Sequence, residues 1–140
     1  MATMIEGFCH CGNISFEIRT EAAKSEIMAR ACECRFCRLH AAKTWSDPKG
    51  HAWLKIRDAQ RLQRYLFAQK TAEFYICKTC GAYAAAVLSD CDGSWATFNL
   101  RLTRMADIPQ TRVSYSGESS GERASRRKRK WTPTVVTGVG

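Results

Sequence analysis

The feature that most constrains this chain is the spacing of its cysteines. Seven of the eight cysteines fall into three short clusters with the patterns C-x-C, C-x-C-x-x-C and C-x-x-C-G, and the eighth stands alone. The clusters are Cys9 and Cys11; Cys32, Cys34 and Cys37; and Cys77 and Cys80, with Cys91 outside them. In a chain without an export signal, such short spacings indicate metal ligands or catalytic thiols rather than a disulfide scaffold.

The compartment follows from the start of the chain and from its hydropathy. Residues 1–7 carry neither the basic segment nor the apolar run of a secretory signal. We therefore expect a cytoplasmic protein in a reducing compartment. No apolar run approaches the roughly 20 residues that a membrane-spanning helix needs, so we expect no membrane association.

The ligand count predicts two zinc ions per chain, one structural and one catalytic. A structural zinc site is closed by four ligands, whereas a catalytic site has three protein ligands and a vacant fourth position. The two cysteine pairs each lie in a turn that ends a predicted strand, so we expect them to form the closed site. The cluster of three is then the open, catalytic site. The predicted metal ligands are Cys9, Cys11, Cys77 and Cys80 in the first site and Cys32, Cys34 and Cys37 in the second.

Other groupings are compatible with the same spacings. Cys91, or His40 three residues after Cys37, would close the second site if either supplied a fourth ligand. A single zinc ion with free thiols elsewhere is a further alternative, and all-thiolate sites also suit iron–sulfur clusters.

The apolar pattern predicts a mainly β fold in one domain. Residues 4–19 read as a hairpin, because Ile14, Phe16 and Ile18 alternate with polar residues and the cysteine turn Cys9–Gly12 precedes them. Further short strands are predicted at residues 25–31, 52–56, 65–67, 73–76, 83–88 and 95–100, with two helical turns at 35–43. Many short strands separated by turns favour a barrel or a sandwich.

The positive charge is concentrated near the C-terminus. Six of the cationic residues behind the net charge of +9 lie within residues 123–130, which leaves +3 for the rest of the chain. We expect a zinc-binding β domain at 1–116 and a basic tail at 117–140, extended or docked on that domain. We do not expect nucleic acid to be a partner, because aromatic residues that would stack on bases are missing from the run.

The ordered cysteine motifs resemble those of the glutathione-dependent formaldehyde-activating enzymes, a family that includes centromere protein V. The likeness rests on residues 7–14, 32–37 and 76–81, and it extends to the segment Arg126–Pro133. It implies small antiparallel sheets wrapped around a zinc site, a β-tent-like fold with one or two short helices. It also implies the division into a structural site of four cysteines and an active site of three.

The resemblance further implies a carbon–sulfur lyase that adds glutathione to formaldehyde. On that basis Cys32, Cys34 and Cys37 are the expected catalytic residues, and glutathione and a small aldehyde are the expected partners. Arg35 and Arg38 flank Cys37 and either offset the negative charge of the thiolates, hold a glutathione carboxylate, or are solvated residues of a short helix. The alternatives to an enzyme are a zinc-stabilised binding module and a glutathione carrier without turnover.

Overall fold

A computed structural model describes residues 2–67 and 70–139, and it shows a mainly β protein, as predicted. In this part of the chain the strands are β1 (Thr3–Phe8), β2 (Ile14–Thr20), β3 (Ala29–Cys32), β4 (Thr44–Trp45), β5 (His51–Ile56), β6 (Leu62–Tyr65), β7 (Glu73–Cys77), β8 (Tyr83–Asp90), β9 (Gly93–Asn99), β10 (Gln110–Val113) and β11 (Thr132–Thr137). The helices are α1 (Arg35–Leu39) and α2 (Ser120–Lys130), with short 3-10 turns at Lys24–Glu26, Ala59–Arg61 and Leu100–Leu102. No helix in these residues is long and apolar enough to cross a membrane.

Strand β9 is the branch point of the sheet. The strands follow the order β1-β2-β5-β11-β9-β4-β3-β10, and β8, β7 and β6 extend in turn from the other edge of β9. Most neighbours are antiparallel, as expected. The pairs β3/β10 and β5/β11 are parallel, and both involve strands that return after a long connection, which parallel pairing requires.

The predicted hairpin is confirmed and forms one side of the core. Ile14, Phe16 and Ile18 of β2 are buried, and β1 pairs with β2 over its whole length. Strands β8 and β9 are covered on both faces, because β8 is buried continuously from Tyr83 to Leu88. The small alanine side chains of β8 weaken the strand signal in the sequence, yet they let neighbouring layers pack closely.

Some element boundaries differ from the prediction. The strand expected at Tyr65–Phe67 lies earlier, because β6 ends at Tyr65, and the helix expected at 35–43 is the shorter α1. Residues 68 and 69 of the predicted polar loop, and the outermost residues of the predicted domain and tail, Met1 and Gly140, lie outside the described residues.

The segment after residue 116 is folded onto the rest of the protein. Ser119 accepts a hydrogen bond from the backbone of Glu122, and the Glu122 carboxylate accepts one from the backbone N–H of Ser119, a capping box that begins α2. Strand β11 then lies between β5 and β9. The sequence left open whether this segment is extended or docked, and in the structure it is docked. The division of the chain at residue 116 stays a prediction.

We expect the Gly7→Ala substitution to destabilise the fold by about 1–3 kcal/mol, the usual cost of overfilling a packed core. Gly7 of β1 pairs with Phe16, and a methyl group there would lie 2.3 Å from Cζ of the Phe16 ring. That ring is buried and packs against Phe98 at 4.7 Å between centroids, so it has little room to move. Urea denaturation measures the change.

The matched control is Gly121→Ala in α2, where an added methyl group meets nothing within 4 Å. This change should leave the stability unaltered or raise it by up to about 1 kcal/mol, because alanine favours the helix. If the Gly7→Ala protein is as stable as the wild type, the close packing of Phe16 on β1 is wrong.

Candidate metal centres and pocket

Two turns at the ends of hairpins bring four cysteines together. Cys9 and Cys11 lie between β1 and β2, and Cys77 and Cys80 lie between β7 and β8. In each turn a glycine after the second cysteine adopts a positive φ, 85° at Gly12 and 80° at Gly81, which glycine tolerates without strain. The four sulfurs lie within 4.8 Å of one another, so these residues could hold a metal ion.

The sulfur spacing fits a tetrahedral zinc site. Zinc–sulfur bonds of about 2.3 Å place the sulfurs of a regular tetrahedron about 3.8 Å apart. The Cys9 and Cys11 sulfurs are 3.8 Å apart, and those of Cys11 and Cys77 are 3.4 Å apart. All eight cysteines are free. Burial raises the pKa of the Cys9 thiol to about 11, so metal binding here would displace a proton.

Arg61 supports this cluster from the 3-10 turn before β6. Its Nη2 donates to the Cys11 sulfur at 3.4 Å, and its Nε donates to the Thr79 hydroxyl at 2.7 Å. The guanidinium therefore links both cysteine turns. It also offsets part of the negative charge that four thiolates carry.

We expect Arg61→Met to weaken metal binding by this cluster roughly 10- to 100-fold, the range typical for losing a partner of a metal ligand. Competition with a zinc chelator measures the affinity. The neighbouring exposed Arg57 supplies the control, since Arg57→Met changes the same charge without touching the cluster. Equal zinc affinities in the two variants would contradict this role of Arg61.

A second cluster of three cysteines forms where β3 runs into α1. Cys32 ends β3, Cys34 caps the helix, and Cys37 is buried within it. The Cys34 sulfur accepts a hydrogen bond from the backbone N–H of Cys37 at 3.4 Å. Hydrogen bonds from the other two thiols lower the pKa of Cys34. The hydrogen bonds within the cluster raise the pKa values of Cys32 and Cys37. The donor set fits zinc, because its three sulfurs lie within 4.8 Å of one another.

Among residues 2–67 and 70–139, this second cluster has three sulfur atoms that could bind a metal ion. Neither His40 nor Cys91 belongs to it. The His40 ring packs on Phe36 at 4.4 Å between centroids, and its Nδ1 contacts the Phe36 carbonyl. Cys91 is exposed in the turn between β8 and β9, where it groups with Asp90 and Asp92 instead. The two closed groupings left open by the sequence are therefore not formed.

The three-cysteine cluster opens into a pocket of about 330 Å³. One side of the pocket is apolar and aromatic. Its lining includes Phe67, Phe74, Tyr83, Ala86 and Trp131. Desolvation by burial raises the pKa of Tyr83, so its hydroxyl stays neutral. None of the four cysteines of the first cluster lines this pocket.

Another part of the pocket lining is cationic. It is formed by Arg30 from β3 and by Arg123, Arg126 and Arg127 from α2. Glu118 bridges two of them, with its carboxylate 3.2 Å from Arg123 Nε and 2.8 Å from Arg126 Nε. These arginines lower the pKa of Glu118. The Arg126 guanidinium also stacks on the Tyr115 ring at 3.5 Å from its centroid.

The arginine side of the pocket is the part of the site that sequence reasoning missed. The basic run was interpreted as a docked or solvated tail, whereas three of its members line the pocket and Lys128 pairs with Asp90 at 2.7 Å. Arg35 and Arg38, the arginines weighed as carboxylate ligands, are exposed and do not line the pocket. The missed signal was the capping box that begins a helix, followed by arginines at a spacing of three and four residues.

Comparison with known proteins agrees with this geometry. The family model described as glutathione-dependent formaldehyde-activating enzyme matches residues 4–110, about three quarters of the chain. A protein of Rhodobacter sphaeroides, known from a crystal structure solved as a structural genomics target, is 26% identical. Its similarity covers 76% of this chain and 99% of that one, with a TM-score of 0.52. No curated protein matches the chain.

Proposed function

The chain belongs to the glutathione-dependent formaldehyde-activating enzyme family, and we propose that it joins a thiol, in the first instance glutathione, to formaldehyde or another small aldehyde. The reaction is of the carbon–sulfur lyase type. The thiol sulfur forms a bond to the carbonyl carbon, the carbon–oxygen π bond breaks, and the proton lost by the thiol ends on the oxygen. The product is a hemithioacetal, which is the S-hydroxymethyl adduct when the aldehyde is formaldehyde, and no oxidant or reductant is needed.

One observation carries the proposal: three cysteine sulfurs converge at a pocket, and no fourth ligand from the described residues completes the set. Three protein ligands with one free position are typical of catalytic zinc. Zinc held by Cys32, Cys34 and Cys37 would supply Lewis acidity and lower the pKa of an incoming thiol.

The protein itself contributes orientation and exclusion of water. Cys34 is exposed and Cys37 is buried, so Cys34 is accessible to a ligand while Cys37 packs with Phe74 and Ala86 in the interior. Phe67, Phe74 and Ala86 form an apolar side next to it, which suits a small aldehyde and disfavours competing water.

The first cluster has a structural role in this proposal. Cys9, Cys11, Cys77 and Cys80 would hold the second zinc of two per chain and fix the two hairpin turns. None of these four cysteines lines the pocket, so we assign this cluster no part in the reaction. We place the protein in the cytoplasm, where glutathione is abundant and thiols stay reduced.

Magnetisation exchange in the presence of ¹³C-formaldehyde and glutathione tests the proposal at equilibrium. We expect catalytic amounts of zinc-loaded protein to accelerate exchange between hydrated formaldehyde and the S-hydroxymethyl adduct. The Cys91→Ser protein should do the same, because this exposed thiol lies outside the cluster. Stoichiometric binding of glutathione without faster exchange would instead identify a carrier. If the protein neither binds glutathione nor accelerates the exchange, a binding module is favoured.

A further inference from the structure

We infer that helix α2 is the anion-recognition element of the pocket, and that Arg127 and Arg30 bind a carboxylate group of the thiol substrate. The inference rests on the proposed function for the thiol end of the ligand. The carboxylate end rests on the arginines alone, and these lie outside both cysteine clusters.

Arg127 lines the pocket from α2. In residues 2–67 and 70–139 it forms no ion pair, and its buried Nε has no hydrogen-bond partner. Its Nη1 donates to the Thr71 hydroxyl, and its guanidinium lies 4.9 Å from the centroid of the Trp131 ring. Burying a charged donor without an acceptor is costly. Because Arg127 lines the pocket, a ligand carboxylate there would compensate the charge of its guanidinium group.

Arg30 is held in a similar way on the neighbouring strand. Its Nη2 donates to the hydroxyls of Ser46 at 2.5 Å and Thr97 at 3.1 Å. These neutral partners orient the guanidinium and leave its charge uncompensated. Desolvation by burial lowers the pKa values of both arginines, that of Arg127 to about 10, yet both remain charged at neutral pH.

The other two arginines play a different part. Glu118 holds Arg123 and Arg126 through its two carboxylate oxygens, and the Arg123 Nη2 also donates to the Tyr115 carbonyl. These contacts hold α2 against the loop that precedes it. Of the four pocket arginines, Arg127 and Arg30 are therefore the two that form no ion pair with a carboxylate of the described residues.

The pocket lining therefore carries two chemically different kinds of group. Cys32, Cys34 and Cys37 suit a metal-bound thiol, and the guanidinium groups of Arg127 and Arg30 suit an anion. Guanidinium groups match the planar geometry of a carboxylate and bind it through paired hydrogen bonds. A volume of about 330 Å³ is at the small end of ligand pockets, so we expect a compact ligand that contacts both kinds of group.

Calorimetry with three matched probes tests the inference on the zinc-loaded protein. The probes are 3-mercaptopropionate, the uncharged 3-mercapto-1-propanol, and butyrate, which keeps the carboxylate and lacks the thiol. We expect the wild type to bind 3-mercaptopropionate roughly 10- to 100-fold more tightly than 3-mercapto-1-propanol, as for a lost hydrogen bond to a charged group. A ratio near one in the wild type overturns the inference without any variant.

Variants on one helix then assign the effect to a residue. The Arg127→Gln protein should lose most of the affinity ratio, whereas Arg129→Gln, which removes the same charge from the exposed side of α2, should keep it. If Arg127→Gln weakens both thiols equally, the arginine only offsets thiolate charge and the inference fails. Inorganic phosphate that competes as well as butyrate would also overturn the choice of a carboxylate.

The butyrate arm separates this inference from the proposed function. If 3-mercaptopropionate binds no more tightly than butyrate, the thiol has no site and the proposed function fails. Carboxylate recognition by Arg127 would still stand if the ratio of the two thiols depends on that residue.

Discussion

The Cys77→Ser protein is expected to lose its fold together with its more tightly bound zinc. Cys77 is fully buried, and its sulfur lies 3.4 Å from that of Cys11, which is 66 residues away in the sequence. The cluster therefore ties the β1/β2 hairpin to the β7/β8 hairpin. Structural zinc contributes about 10–16 kcal/mol of apparent folding free energy, which is as large as the whole stability of a typical domain.

Circular dichroism and zinc content of the purified protein measure this effect. The control is Cys91→Ser, which removes an exposed thiol from a turn and should change the stability by less than about 0.5 kcal/mol. A Cys77→Ser protein that melts at the wild-type temperature would show that the four-cysteine cluster is not structural.

The Cys34→Ser protein is expected to stay folded and to lose both turnover and the response to thiols. Cys34 is exposed at the start of α1, so its replacement removes little buried contact. In the wild type, a thiol present at a hundredfold excess over its dissociation constant should stabilise the fold by about 2.7 kcal/mol. The variant should show no such stabilisation.

Thermal melting with and without glutathione measures the response, and Cys91→Ser again serves as the control. The wild type and Cys91→Ser should melt at higher temperature with glutathione, and Cys34→Ser should not. If Cys91→Ser removes the response as completely as Cys34→Ser, the second site is closed by a fourth cysteine in solution and has no place for an external thiol.

The cysteine clusters were predictable because ligand spacing is a local property of the chain. Two residues between Cys77 and Cys80, followed by Gly81, define a turn whatever the rest of the fold does, and the structure forms it with the expected positive φ at Gly81. The alternation in β2 was equally local. The spacings left other groupings open, and the structure brings the seven cysteines together as four and three.

The arginine side of the pocket was not predictable in the same way. Because six of the eight residues at 123–130 are positively charged, the helical spacing of Arg123, Arg126 and Arg127 does not stand out in the sequence. Their meeting with Arg30 depends on the pairing of β3 with β10 and of β11 with β5 and β9. Such pairings are set by contacts distant in sequence. Strand β4, with two residues, is too short to leave a pattern.

The central claim is that Cys32, Cys34 and Cys37 form an open zinc site that accepts an external thiol. Zinc X-ray absorption with the selenium analogue of glutathione, under reducing conditions, tests it directly because selenium and sulfur scatter differently. We predict a selenium neighbour in the first coordination shell of about half the zinc, present in the wild type and absent from Cys34→Ser. A first shell that contains only sulfur in the wild type, at saturating selenol, would contradict the account.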